Sequence, residues 1–301
     1  MYEQVVAVNA GIFMLLAMSL NIITGFAGQP NLGHAAFFGI GAYTSALLVA
    51  KAKAGFWLAL PAAGLVAGLT GMLLGLISVR VREDFLAVTT IGINFVLVAV
   101  FQYVPFFGAS LGLVVPPATV FGRRLDTGGF LILLLVLNIL VYLLCLRVRF
   151  SWLGLALGGI RNDEQATASL GYNVNRFKVF AFTIGTFIAG LAGSVYAHFM
   201  GFIMSTDFSF PVSVSIMAMA VLGGLGTISG PLLGAAILTL APEIFRFVAD
   251  YRMLVYGGLL VLMMRFLPQG LLGENSPLAN LLERRRPGPA GRVAPGGGNR
   301  G

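Results

Sequence analysis

The sequence predicts an all-α fold, a polytopic bundle of about 8–10 membrane helices. Three observations carry that expectation. Hydrophobic residues make up 58% of the 301 residues and charged residues only 10%. Mean hydropathy is +0.92. Apolar runs long enough to cross hydrocarbon, about 20 residues each, recur along the chain. An ordinary soluble domain carries roughly 25% charged residues, so lipid must solvate much of this surface. The balance of basic over acidic residues is 19 − 11 = +8. In such a chain it reflects topology and contact with anionic headgroups. No basic and aromatic stripe accompanies it, so nucleic acid is not an expected partner.

Taken in order, the spans are Val5 to Gly25, Leu32 to Ala50, Phe56 to Val79, Phe85 to Phe107, Phe130 to Leu146 and Phe177 to Met204. The run from Pro211 to Val248 is too long for one helix. The stretch Gly223 to Pro231, GGLGTISGP, divides it into two shorter helices joined by a tight turn. Met253 to Leu267 completes about nine helical segments. Residues 1–273 form the membrane domain, with a polar loop over 147–178. Residues 274–301, rich in Pro, Gly and Arg, are expected to be a disordered cytoplasmic tail. No cleavable signal peptide is expected, because Glu3 stands where a basic leader would begin.

Basic residues set the orientation. The connections bearing Arg80 and Arg82, and Arg147, Arg149, Arg161, Arg176 and Lys178, are assigned to the cytoplasm with the tail arginines. The amino terminus then faces outward, and the Gly223 to Pro231 turn is cytoplasmic. Lys51, Lys53, Arg123 and Arg124 fall on the opposite side from this rule.

Small residues recur at four-residue spacing. Gly64 with Gly68, and Gly71 with Gly75, do so in the third span. Gly185, Ala189, Gly193 and Ala197 form an unbroken stripe in the sixth. Such stripes let helix backbones approach closely in lipid. They serve either static packing or a sliding interface.

Between the first two spans, GFAGQPNLGHAAFFGIGAY (Gly25 to Tyr43) gathers Gln29, Asn31 and His34 around the helix breakers Pro30 and Gly33. Irregular backbone at membrane depth is tolerated only inside protein or beside a water-filled cavity. A helix that starts after such a break offers free N–H groups to an anionic solute group. Asn21, Gln29, Asn31, His34 and Asn94 are therefore candidates for a substrate pathway, against the alternative of an ordinary capped turn. Gln102 and Asn138 suit interhelical hydrogen bonding, and Glu243 an interfacial position.

Several chemistries are excluded. GGLGTISG has glycines but no Gly-Lys-Ser/Thr, so the lysine that grips phosphate is missing. No His-Glu-x-x-His zinc motif occurs. Cys145 is the single cysteine, which rules out an internal disulfide. His34 and His198 are the only histidines and stand far apart, so neither a metal site nor a cofactor is expected. No chain of intramembrane carboxylates is present to relay protons.

The stretch Gly154 to Lys178 is the polar interruption where charges gather most densely. Asp163 and Glu164 precede the run Ala166 to Leu170, and Gly171 follows. That order predicts a short helix with acidic residues in its first turn and a left-handed glycine closing it. It is either a grip for a partner outside the membrane or a solvated linker.

Several stretches together resemble one family, the branched-chain amino acid ABC permeases. They are NIITGFAGQPNLGHAAFFGIGAYTSALL (Asn21 to Leu48), Gly154 to Ala197, SFPVSVSIMAMAVLGGLGTISGPLLGAA (Ser209 to Ala236) and FLPQGLLG (Phe266 to Gly273). The closing PQGLLG and VREDFLAVTTIG (Val81 to Gly92) are similar to the LivM-type subunit more than to its LivH-type partner. The resemblance implies an importer permease in the bacterial inner membrane with no catalysis of its own. It also implies a second, LivH-type permease, two cytoplasmic ATP-binding subunits and a periplasmic solute-binding protein as partners. By the same resemblance Arg161, Asp163, Glu164, Ala166, Ala168 and Gly171 form a coupling helix that docks on the ATPase. The importer pattern Glu-Ala-Ala, three residues, Gly is one residue longer here, EQATASLG. Asn94 stands where relatives often carry an acidic residue. The implied solutes are leucine, isoleucine and valine, with urea or short amides as the alternative. A stand-alone secondary transporter and a membrane scaffold are the other classes considered; the first lacks intramembrane acids and the second gives the coupling helix no role.

Overall fold

The computed structural model describes residues 2–79, 83–120 and 123–244, together with 258, 265 and 270–272. Ten α-helices run through them. They are α1 (Tyr2–Leu20), α2 (His34–Ala50), α3 (Phe56–Ser78), α4 (Glu83–Tyr103), α5 (Thr127–Arg149), α6 (Trp152–Asn162), α7 (Glu164–Ser169), α8 (Val174–Met200), α9 (Phe210–Gly223) and α10 (Gly230–Ile244). Among the described residues six helical stretches are long and apolar enough to cross a membrane, and two shorter apolar ones, His34–Ala50 and Gly230–Leu240, accompany them. Eight of the nine expected segments are thus present as helices. The ninth, Met253 to Leu267, and the tail from 274 lie outside the described residues.

The boundaries differ from expectation for local reasons. α4 stops at Tyr103, not Phe107, because Pro105 lacks an N–H and holds Val104 extended at φ −86°, ψ 118°. α5 runs on to Arg149, whose long side chain leaves the apolar zone and favours the negative end of the helix. α8 starts at Val174 because Asn173 caps it, accepting from the Arg176 N–H at 3.2 Å. It ends at Met200 because Gly201 takes φ +68°.

The core is built around α1, α2 and α8. α2 packs on α3, α4, α8 and α9, and α1 packs on α5, α8, α9 and α10. α2 is buried along most of its length, with Phe37, Phe38 and Tyr43 among the largest fully enclosed side chains. α3, α4 and α5 instead expose rows of Leu, Ile, Val and Phe, including Leu58, Leu65, Leu69, Phe95, Ile132 and Leu135. Those rows are what lipid contact requires of helices at the bundle's rim.

The two ends differ. At one end, β1 (Leu113–Val114) pairs antiparallel with β4 (Phe202–Ile203), and β2 (Thr119–Val120) with β3 (Arg123–Arg124). The Lys51 ammonium donates to the Phe106 carbonyl at 3.0 Å beside them. At the other end lie α6, α7, the break after α1 and the turn between α9 and α10. The basic residues Arg149, Arg161, Arg176 and Lys178 gather there, the end assigned to the cytoplasm by charge.

Candidate functional site

The polar break after α1 is enclosed, and its backbone explains why. α1 does not end at Leu20 but widens into a π-helical turn over Asn21–Phe26. The Gln29 N–H donates to the Ile23 carbonyl at 3.1 Å, closing the wide turn. Widened turns of this kind cluster at functional positions. Asn21 folds its side chain back over Gly25, where any Cβ would collide with Asn21 Oδ1. Glycine at position 25 is therefore a steric requirement.

Beyond the break, Gln29, Asn31 and His34 are all fully buried. Ser19 Oγ donates to the Leu16 carbonyl at 2.7 Å, leaving a lone pair for His34 Nε2 at 2.7 Å. Asn31 Nδ2 meets His34 Nδ1 at 3.3 Å, and Asn31 Oδ1 accepts from the Gly33 N–H at 3.0 Å. One proton arrangement satisfies this chain, a neutral imidazole with its hydrogen on Nε2. Thr90 Oγ1 accepts from the Leu32 N–H at 3.1 Å, and Ser213 Oγ from the Ala35 N–H at 2.9 Å. The first turn of α2 is thus tied to α4 and α9.

The sequence candidates do not form one cluster. Asn31 and His34 meet. Gln29 turns to Ser78 at the foot of α3, at 3.4 Å. Asn94 donates to the Phe208 carbonyl at 3.1 Å. Asn21 joins a different set. Gln29 Oε1 and Asn94 Oδ1 are buried acceptors with no donor facing them. An ammonium or amide N–H is the complement that such oxygens lack. Among the described residues no group of three or more His, Cys, Asp or Glu side chains gathers to hold a metal ion.

Asn21 belongs to a junction at the charged end. Its Nδ2 donates to the Thr227 carbonyl at 2.7 Å, and its Oδ1 accepts from the Gly226 N–H at 2.8 Å. The side chain so pairs with the α9–α10 turn as a strand would. Gly224 and Gly226 take φ +114° and +83° to make that turn. The Leu271 and Leu272 amides cap the end of α9, donating to the Leu222 and Gly223 carbonyls at 2.9 and 3.1 Å. Sequence reading placed a tight turn here and α9 and α10 bear it out, but it did not connect the turn to Asn21.

The predicted short helix is α7. Asp163 Oδ1 accepts from the Gln165 and Ala166 N–H groups at 2.9 and 3.0 Å, and Gly171 takes φ +88°. Thr167 is buried, its methyl and hydroxyl against Gly159 of α6. Asp163, Ala166, Ala168, Leu170 and Gly171 are exposed. Glu164 pairs with Lys178 at the start of α8. α6, an amphipathic helix that buries Ala156, Leu157 and Ile160, was not foreseen. Its signal was present in the spacing of Trp152, Leu153, Ala156, Leu157 and Ile160. Arg161, in the last turn of α6, reaches toward the bundle, donating to the Gly25 carbonyl at 2.7 Å.

The stripe on α8 divides between neighbours. A Cβ on Gly185 would strike Ile23 and Ser19 of the first helix, and one on Gly193 would strike Phe38 and Ala42 of α2. Ala189 and Ala197 are fully buried on the same face. On another face, Gly190 meets Ala63, Gly64 and Ala67 of α3. The α3 glycines Gly64, Gly68, Gly71 and Gly75 look toward Phe187, Thr186 and Val179 of α8. Near the far end, Ser194 donates to Ser45 at 2.7 Å, Ser45 Oγ meets His198 Nε2 at 3.0 Å, and His198 Nδ1 meets the Pro116 carbonyl at 2.8 Å.

An enclosed polar layer within a polytopic bundle, and a capped helix presented outside it, define an integral membrane permease. The chain belongs to the family described as branched-chain amino acid transport system / permease component, whose model matches residues 4–264. It is 36% identical to the high-affinity branched-chain amino acid transport system permease protein LivM of Salmonella typhimurium strain LT2, covering 92% of this chain and 71% of the relative. LivM of Escherichia coli K12 is likewise 36% identical, over 90% of this chain and 70% of the relative. The permease protein LivH of Salmonella typhimurium is 25% identical over 87% of this chain and 91% of its own length. No solved structure matches the chain.

Proposed function

We propose that this chain is a LivM-type permease subunit of an ATP-driven importer, carrying leucine, isoleucine and valine across the bacterial inner membrane. It pairs with a LivH-type permease to form the path. Two cytoplasmic ATP-binding subunits supply the energy, and a periplasmic solute-binding protein delivers the solute. The subunit makes and breaks no covalent bond. The family match supports the solute class. The observation that carries the coupling is α7, capped by Asp163, closed by Gly171 and exposing Ala166, Ala168 and Leu170 at the basic end. A short rigid helix with small and apolar residues outward suits a groove on a partner better than it suits water.

In this reading α7 docks on an ATP-binding subunit, and closure of the ATP-binding pair moves α6 and α7 together. The α2 entrance, with the Gln29 and Asn94 carbonyl oxygens free to accept, offers acceptors to the solute's ammonium group. The test is co-purification of tagged chain from membranes, comparing wild type with Leu170→Asp, followed by uptake of labelled leucine and urea. An ATP-binding subunit retained by wild type and lost by the variant, with leucine taken up, is the expected result. Wild type that brings down no ATP-binding subunit from intact complexes overturns the importer reading. Uptake of urea without leucine overturns the solute class.

A further inference from the structure

Resemblance assigns Arg161 to the surface that touches the ATPase; the residue is exposed, yet its guanidinium reaches back to the bundle. Its Cα, Cβ and Cγ lie against Gly28, where an added Cβ would sit 3.1 to 3.3 Å away. Its guanidinium donates to the Gly25 carbonyl at 2.7 Å and lies in the space a Cβ on Gly226 would occupy. Gly28 and Gly226 both hold positive φ, +71° and +83°. Two glycines that leave room, and one carbonyl that accepts, form a slot for this side chain. Arg149, at the foot of α5, donates to the Gly226 carbonyl beside it. Asn21 bonds the same turn from the π-helical side.

We propose that Arg161 is a positioning residue that transmits motion of the docking helix to the two irregular segments of the bundle, Asn21–Phe26 and Gly224–Ser229. The inference rests on the importer reading above. α7 is stacked on α6 through Thr167 and Gly159, so α7 cannot shift without carrying Arg161. Arg161 holds Gly25, Asn21 holds Gly25's segment to Gly226, and Arg149 holds Gly226 to α5. The three side chains bind backbone groups, so a shift of any of them acts directly on the main chain of these segments. A displacement of α6 therefore reaches the start of the polar break and the α9–α10 turn at once. A residue docked on the ATPase would lose contact with its partner on truncation. A transmission residue would keep the partner and lose the work.

The experiment is reconstitution of the whole complex in proteoliposomes, measuring labelled leucine uptake and ATP hydrolysis together, with the amount of co-purified ATP-binding subunit as a third readout. Arg161→Ala is compared with Arg161→Lys. The expected result is a wild-type amount of ATP-binding subunit with Arg161→Ala and about a tenfold lower ratio of leucine moved to ATP hydrolysed. Arg161→Lys, which keeps one donor, should recover part of that ratio. Loss of the ATP-binding subunit overturns the inference, because Arg161 would then be a docking residue. An unchanged ratio overturns it as well. Should the Arg161→Ala chain itself fail to accumulate in the membrane, the ratio is read on Arg161→Lys and Arg161→Gln, where an unchanged value is equally fatal. Wild-type complex that moves no leucine refutes the importer reading instead, and that arm is run first.

Discussion

At Gly190 α8 closely approaches α3, and Gly190→Ala measures how tightly the bundle is built. An added Cβ would lie 2.5 Å from the Ala67 Cβ and 2.6 Å from the Ala63 carbonyl oxygen. Comfortable contact needs about 3.5 Å or more, so the two helices must part by roughly 1 Å. Neither obstacle can rotate away, since one is a methyl and the other is backbone. Overpacking of this kind costs about 1–3 kcal/mol, and more where nothing yields. The better helix propensity of alanine returns about 1 kcal/mol. Because nothing yields here the upper cost applies, and the net loss of ~2 kcal/mol corresponds to a midpoint roughly 4–8 °C lower for a domain of this size. The assay is thermal unfolding of the purified chain in detergent, with Gly92→Ala as the control. Gly92 sits mid-helix in α4 with nothing within 4 Å of an added Cβ, so that variant should unfold at or slightly above the wild-type midpoint. If Gly190→Ala matches Gly92→Ala, the close approach of α3 and α8 is refuted.

Two further expectations concern the charged end. Asp163→Ala removes the acceptor for the Gln165 and Ala166 amides at about 1 kcal/mol; those two amides should exchange with solvent roughly fivefold faster, and unchanged protection would show the cap to be idle. Asn21→Ala strands the Gly226 N–H and the Thr227 carbonyl and should lower the unfolding midpoint by an amount equivalent to about 1–3 kcal/mol. Asn21→Asp keeps the acceptor for Gly226 N–H and loses the donor to Thr227, so it should fall between wild type and alanine; equal midpoints for all three would dismiss the bridge.

Much of the fold is written in apolar run length. Eight helical segments were placed from it, and the division at Gly223 to Pro231 followed from a run too long for one span. The α7 cap was readable because Asp163, Glu164 and Gly171 act locally, within a turn of their own positions. What was not readable depended on partners remote in sequence. NIITGF carries no composition that separates a π-helical turn from an α-helical one; the widening is settled by Asn21 reaching Gly226, 205 residues away. Gln29, Asn31 and His34 stood out as polar residues, but Ser19 and Ser78, which meet His34 and Gln29, and Thr90 and Ser213, which accept from the Leu32 and Ala35 amides, did not. A serine or threonine in a span ordinarily satisfies itself on its own helix, so its sequence gives no hint that it also serves a neighbour. Arg161 was read by the company it keeps in the chain, next to Asp163 and Glu164, while its direction is set by glycines at 25, 28 and 226.

The length of α8 has a mechanical meaning. At about 1.5 Å per residue its 27 residues span roughly 40 Å, more than the hydrocarbon alone requires. One tip carries Lys178, joined to Glu164 of α7; the other carries His198, joined to Pro116, and continues into the strand that pairs with Leu113 and Val114. Close glycine contacts to α1, α2 and α3 act between those tips as a fulcrum. A tilt of about 5° around that midpoint moves each tip by only ~2 Å, in opposite directions. On the coupling proposed above, a push on one tip of this rod would pull on the loops at the other, with the small residues at its waist as the pivot.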